Sequence, residues 1–404
     1  MKSPLTTRDS QPAIDWLLIG ALIGLMVIGT AFVYSATSAH GAFGDLPWYQ
    51  QQYVKQILWY LLGTGGAIAI CIVDYRSLSR WAFVAYCLTL LTLIAVLIPG
   101  IGSVVFGARR WIDLGFFSVQ PSEFAKLSFI FALGHFLSRP MEEVRRPAVF
   151  WKSIAMLCLP FALVVKEPDL GSALILIPIT LVMMFVAGVP LRFINRLVGA
   201  ALFFIILLLV DILFAPPKWQ PIKLEDYQKR RILVYFGVDG VPANASPAER
   251  DEARKAYRNY SYNVNQALIS VGSGGLMGKG WCQGTQNALG FLPRSVAHND
   301  FIFSVIAEEK GFIGSITVIA LYSVVLFTGI RIAGQARDRL GKLLAAGVVA
   351  MLFSHVFINI GMNIRLMPVT GVPLPLLSYG GSSVLVSLIA TGILQNIYMH
   401  RRSY

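Results

Sequence analysis

The chain has 404 residues, of which 56% are hydrophobic and only 14% charged, and its formal net charge is +13. A soluble domain carries about 25% charged residues, so this composition excludes an ordinary soluble enzyme and points to a chain that crosses a membrane many times. The excess of Lys and Arg calls for no nucleic-acid partner, because positive charge gathers on the cytoplasmic flanks of membrane spans.

Apolar runs of roughly 17–25 residues can cross a ~30 Å hydrocarbon core as helices. Such runs predict spans near 15–36, 57–73, 81–99, 121–137, 153–166, 170–187, 195–214, 301–329, 342–364 and 381–399. The expected fold is an all-α integral membrane protein of about ten transmembrane helices. It reads as a single polytopic domain over 1–404, with a large polar loop at 215–299 between the seventh and eighth helices. The first run is too long for a signal-peptide core, so it is expected to stay as a span. Segment 153–187 breaks at Lys166-Glu167-Pro168-Asp169, and two short spans fit it better than one helix.

Sixteen Lys and Arg residues, from Lys2 and Arg8 to Arg401 and Arg402, flank one side. The opposite short loops hold five: Lys55, Arg109, Arg110, Lys166 and Arg365. This asymmetry places both termini in the cytoplasm and the 215–299 loop outside. Of the four cysteines, Cys282 alone falls in that loop, so no disulfide framework and no metal-ligand spacing is expected.

Ionisable groups at membrane depth are functional hypotheses, and four places hold them. At the start of the fourth span, Arg109, Arg110 and Trp111 precede Gln120-Pro121-Ser122-Glu123, and Lys126 follows. Pro121 suits the first helical turn, while Glu123 and Lys126, three apart, share a helix face. They read either as a structural ion pair or as a charged cavity wall, with Lys126 and both arginines offered to an anionic ligand. Second, the broken segment at Asp169 reads either as a turn capping the next helix or as a cavity lining. Third, the polar loop ends in His298-Asn299-Asp300, and Asp300, Ser304 and Glu308 recur every four residues with Glu309 alongside. Carboxylates this deep need partners, and the basic groups just named are the expected ones. Fourth, His355, Asn359 and Asn363 share a face and read foremost as interhelical hydrogen-bond glue. The Pro- and Gly-rich run from Arg365 through Ser378 to Ser383 cannot be a regular helix and is expected to fold into the outer vestibule. Gly380 and Gly381 would then open the last helix with free N–H groups, a weak anion site.

Taken together, Gly107–Ile112, Gln120–Lys126, Pro168–Gly171, Gly272–Gly280, Asp300–Phe303 and Pro368–Pro375 resemble the SEDS family (shape, elongation, division and sporulation proteins) over nearly the whole chain. Within it the chain is more similar to the elongation branch, RodA, than to the division branch, FtsW. The strings that favour RodA are Tyr227–Ile232, Gly280–Gln286 and Pro168–Gly171. The family's usual His-Thr-Asp reads His298-Asn299-Asp300 here, and Val238–Tyr260 looks like an extra insertion.

The resemblance implies a peptidoglycan glycosyltransferase that polymerises lipid II on the outer face of the bacterial cytoplasmic membrane. It implies Asp300 as the essential acid, with Trp111, Glu123, Lys126 and Asp169 at positions the family needs. His298, Glu308, Arg365 and Ser378 join them as supporting positions. A class B penicillin-binding protein and other elongation-complex membrane proteins are the implied partners. No cofactor is certain; a divalent cation, Mg or Mn, held at Asp300 is one option. A lipid II flippase, or a scaffold that activates the transpeptidase, are the competing classes.

Overall fold

The computed structural model describes residues 14–38, 47–105, 108–115, 117–214, 226–238, 247–292 and 294–402. All ten expected stretches are helical: α1 (Trp16–Ser38), α2 (Gln52–Ile72), α4 (Ala82–Leu97), α5 (Pro121–Leu137), α7 (Pro147–Lys166), α8 (Leu170–Ala187), α9 (Leu191–Phe214), α14 (Ile302–Gln335), α15 (Arg339–Asn363) and α16 (Gly381–Met399). Short helices connect them at α3 (Tyr75–Arg80) and α6 (Met141–Val144). The large loop carries α10 (Asp226–Phe236), α11 (Pro247–Ser273), α12 (Thr285–Ala288) and α13 (Arg294–Ala297). Eight of the ten long helices are apolar and long enough to cross a membrane. The exceptions are α4, a shorter apolar helix, and α5, which has 17 residues.

Two expectations need correcting. The stretch near 153–166 is no short span: it begins at Pro147, whose ring suits the first turn, and runs 20 residues through Pro160. The helix near 301–329 is not continuous. Gly311 inside α14 has φ 63° and ψ −156°, a conformation essentially reserved for glycine.

The glycine-rich segment before Lys279 fills that break. The N–H groups of Lys279 and Gly280 donate to the carbonyls of Glu308 and Glu309. Beyond the break, Phe312 and Ile313 donate to the carbonyls of Gly275 and Leu276. A backbone interruption in a membrane helix survives only where such groups are re-satisfied. Gly278 is required for it, since a Cβ there would sit 2.2 Å from the Glu309 carbonyl oxygen.

A small three-stranded antiparallel sheet, which the sequence reading did not foresee, joins α4 to α5: β1 (Gly102–Val105), β2 (Ala108–Asp113) and β3 (Ser118–Val119). The core lies where α15 and α16 pack on α2, α5, α8 and α14. Small residues bring these helices close, as membrane helices require; a Cβ on Gly347 would come within 2.8 Å of Ile130 and Met183. By contrast, α9 packs loosely, with Phe203, Phe204 and Ile206 exposed on its surface. Of the expected insertion, residues 247–260 form the first half of α11, and 239–246 lie outside the described residues.

Candidate active site

Asp300 sits in the turn just ahead of α14 rather than inside it. Its backbone is fixed from α15: Asn359 Nδ2 and Asn363 Nδ2 each donate to the Asp300 carbonyl at 3.1 Å. Asn359 also donates to the Val372 carbonyl at 2.8 Å, and the Ser304 hydroxyl donates to Asn363 at 2.6 Å. The α15 polar face is glue, and what it glues is the turn that carries the acid.

From the other side the proline-rich run comes in. Ser378 Oγ donates to the Asn299 carbonyl and accepts from the Leu374 N–H at 2.8 Å. The Tyr379 N–H donates to the His298 carbonyl at 2.9 Å, and the two rings meet edge to face. The expected vestibule loop is therefore buried and braced. Its carbonyls at Pro375, Leu376 and Ser378 accept from Tyr322, Tyr60 and Gln56. Gly371, at φ 74°, lies against the acid, and a Cβ there would be 3.7 Å from Asp300 Oδ2.

The half-buried Asp300 side chain opens into a cavity of about 360 Å³. Arg231 and Tyr235 of α10, Asn263 of α11, Arg365 and the Met367–Val369 segment complete much of its wall. Burial pushes the Asp300 carboxyl from its ordinary 3.8 to about 6. The positive charges of Arg231 and Arg110 pull against that rise, and Asp169 adds to it.

Asp169 anchors a second cluster. It accepts from the Ser172 N–H at 3.2 Å, capping α8, and from Gln120 Nε2 and Ser122 Oγ at 2.8 and 3.1 Å. Arg110 lies 4.0 Å from it. Asp169 is thus the helix cap of the first sequence reading; it is not part of the described cavity wall, though its charge acts on Asp300. Gly171 lets this corner approach the vestibule loop, since a Cβ would stand 2.9 Å from the Thr370 carbonyl oxygen. Glu167, not weighed as a candidate, is fully buried here with neither carboxyl oxygen hydrogen-bonded. Burial foremost, then the Asp169 charge, push it up to about 9 against the pull of Arg110, so it is neutral at pH 7.

Two expected anion binders do not face open space. Lys126 is 1% exposed and lies 2.7 Å from Glu123 and 2.9 Å from His355 Nε2. Of the two readings, the structural ion pair is the one the geometry has, extended through His355 to the Pro373 carbonyl. Arg109 packs its side chain on Gly102 and points to the Leu97 carbonyl, away from the cavity. Trp111 pairs with Ser103 in β2, outside the cavity wall.

Glu308 corrects a further expectation. Its partners are none of the basic groups named from sequence: Lys279 lies 2.6 Å away, and Thr285 Oγ1 and the Gln286 N–H donate to it. Glu309 accepts from Ser35 and from the Cys282 N–H. Both acids belong to the α14 break and not to the Asp300 cavity, because the helix turns them toward the glycine-rich segment. At the start of α16, the Trp59 indole packs against Gly381.

A polytopic helical membrane protein in which, among the described residues, one carboxylate and two arginines line a cavity beneath a large polar loop is the class these features define. The chain belongs to the SEDS family: residues 15–403 match the family described as cell cycle protein, FtsW/RodA/SpoVE. It is 32% identical to peptidoglycan glycosyltransferase RodA of Treponema pallidum, across 95% of this chain and 97% of that one. It is 34% identical to a probable peptidoglycan glycosyltransferase FtsW of Trichlorobacter lovleyi, across 95% and 92%. A chain solved in a study of how a peptidoglycan synthase complex coordinates polymerization and crosslinking shares the fold. That match has a TM-score of 0.73 and 26% identity, over 97% of this chain and 99% of the other.

Proposed function

We propose that this chain is a peptidoglycan glycosyltransferase that polymerises lipid II into glycan strands outside the cytoplasmic membrane, with Asp300 as general base. The observation that carries the reading is Asp300 itself, held through its backbone by Asn359 and Asn363 and opening into the cavity. The donor sugar leaves on a lipid diphosphate, already a good leaving group, so the protein needs a base for the attacking 4-hydroxyl and cations for the departing charge. A carboxyl at about 6 is ionised near neutral pH yet more basic than an ordinary aspartate. The named activities of the RodA and FtsW relatives support the same chemistry.

The elongation role is the finer part of the proposal, resting on Tyr227–Ile232, Gly280–Gln286 and Pro168–Gly171; relatives of both names match comparably. The partner would be a class B penicillin-binding protein, as the fold's occurrence in a synthase complex suggests. Ten crossings, cytoplasmic termini and a cavity on the outer side complete the reading. A divalent cation at Asp300 would draw its other ligands from the diphosphate and water, because the described cavity wall offers no second carboxylate.

Purified protein with fluorescent lipid II, with and without its transpeptidase, tests this. Glycan chains from wild type and none from Asp300→Ala are expected. Lipid II crossing a liposome membrane without any polymer would make the protein a flippase.

A further inference from the structure

We infer that Arg231 and Arg365 are the diphosphate-binding residues of the Asp300 cavity and receive the leaving group of the lipid-linked donor. This rests on the glycosyltransferase reading above. The two guanidiniums reach the cavity from separate elements, Arg231 from α10 and Arg365 from the segment after α15. Each holds a backbone carbonyl of the other's wall at 3.4 Å: Arg231 that of Thr370, Arg365 that of Val234. Bonds of that length are weak, because good N–H···O bonds lie near 2.9–3.0 Å. A diphosphate offers both arginines shorter, charge-assisted and bidentate bonds in exchange.

Charge points the same way. The described wall carries two arginines and one acid, Asp300, an excess of one positive charge where a doubly charged group would dock. Arg365 takes φ 60° as the left-handed residue that ends α15, with its N–H donating to the Met362 carbonyl and that of Leu366 to Gly361. Of the other cations, Lys126 is held by Glu123 and His355 and Arg109 lies outside the described cavity wall, while Arg110 stands 4.0 Å from Asp169 and its charge also acts on Asp300.

The chemistry then balances within one cavity. The acceptor's 4-hydroxyl oxygen bonds to the anomeric carbon as the bond from that carbon to the diphosphate oxygen breaks. The electron pair leaves on the diphosphate, facing the two arginines, and the hydroxyl proton passes to Asp300.

The test is binding of farnesyl diphosphate, farnesyl monophosphate and inorganic diphosphate to the purified full-length protein in detergent. Wild type is expected to prefer either diphosphate to the monophosphate. Arg231→Gln and Arg365→Gln should each weaken farnesyl diphosphate binding by about tenfold to a hundredfold. Inorganic diphosphate should follow the same order if the headgroup alone is recognised, and equal binding of mono- and diphosphate would overturn the assignment. So would glutamine variants that elute as a single folded species and bind like wild type. If a glutamine variant fails to fold, Arg→Lys carries the test: it keeps the charge, loses the fork, and must still bind more weakly. Asp300→Asn separates the two claims. It should bind diphosphate at least as well as wild type while making no glycan; if it polymerises normally, the base assignment fails and the arginine result stands on binding alone.

Discussion

At the residue scale, Asp300 has opposite effects on rate and on stability as pH changes. A general base works only when ionised, so kcat/KM should fall about tenfold per unit as pH drops below about 6. Its folded-state value lies above its ordinary 3.8, so protonation favours the folded protein. That contribution is full below about 3.8 and is lost as pH rises through about 6. A pH–rate profile beside a pH–melting profile checks both signs, and a flat rate between pH 5 and 7 would exclude Asp300 as the base. Asp300 was legible in sequence because a polar loop delivers it to the edge of an apolar helix. Asn359 and Asn363 were legible as a polar face, but their acceptor, the Asp300 carbonyl, appears only in the fold. Arg231 was not singled out because Lys229, Arg230 and Arg231 look alike in sequence, and the place of Arg231 in the cavity wall appears only in the fold. The burial of Lys126 was equally hidden. Its pairing with Glu123 follows from spacing, but α5 has no distinct polar and apolar faces and so gives no sign of which face is enclosed.

At the element scale, the interrupted α14 makes the strongest demand on sequence. Alanine at Gly311 would have to adopt φ 63° and ψ −156°, with its Cβ 2.4 Å from the Gly278 nitrogen and 2.6 Å from the Leu276 oxygen. Strain and overpacking together should cost about 3 kcal/mol or more. Thermal unfolding in detergent should show a clearly lowered midpoint for Gly311→Ala, whereas Gly20→Ala, which meets nothing within 4 Å, should unfold like wild type. Equal midpoints for the two would mean that the break is not locked by the glycine-rich segment. Helix positions were readable here because apolar length alone marks them. The interruption was not, since Glu308-Glu309-Lys310-Gly311 is a short charged stretch inside an otherwise apolar run. The β1–β3 sheet escaped for a related reason: its arginines drew notice as charges, and its strands are only two to six residues long.

At the scale of the whole molecule, the positive-inside asymmetry commits the account to one orientation. Single cysteines placed in the α14-facing part of the outer loop, for example at Thr285, should label in intact spheroplasts with an impermeant maleimide. Cysteines at Arg337, between α14 and α15, should label only after permeabilisation; the reverse pattern would put the Asp300 cavity on the wrong side for lipid-linked substrate outside the cell. The core helices set the acid, the large loop supplies Arg231 and Tyr235 to the wall, and neither half forms the cavity alone. The most direct measurement is therefore glycan synthesis from lipid II by the full-length protein with the proposed transpeptidase partner, comparing wild type with Asp300→Asn, which keeps the side-chain shape and removes the base. The rate should fall by about a hundredfold or more, and strand synthesis at the wild-type rate would contradict the account.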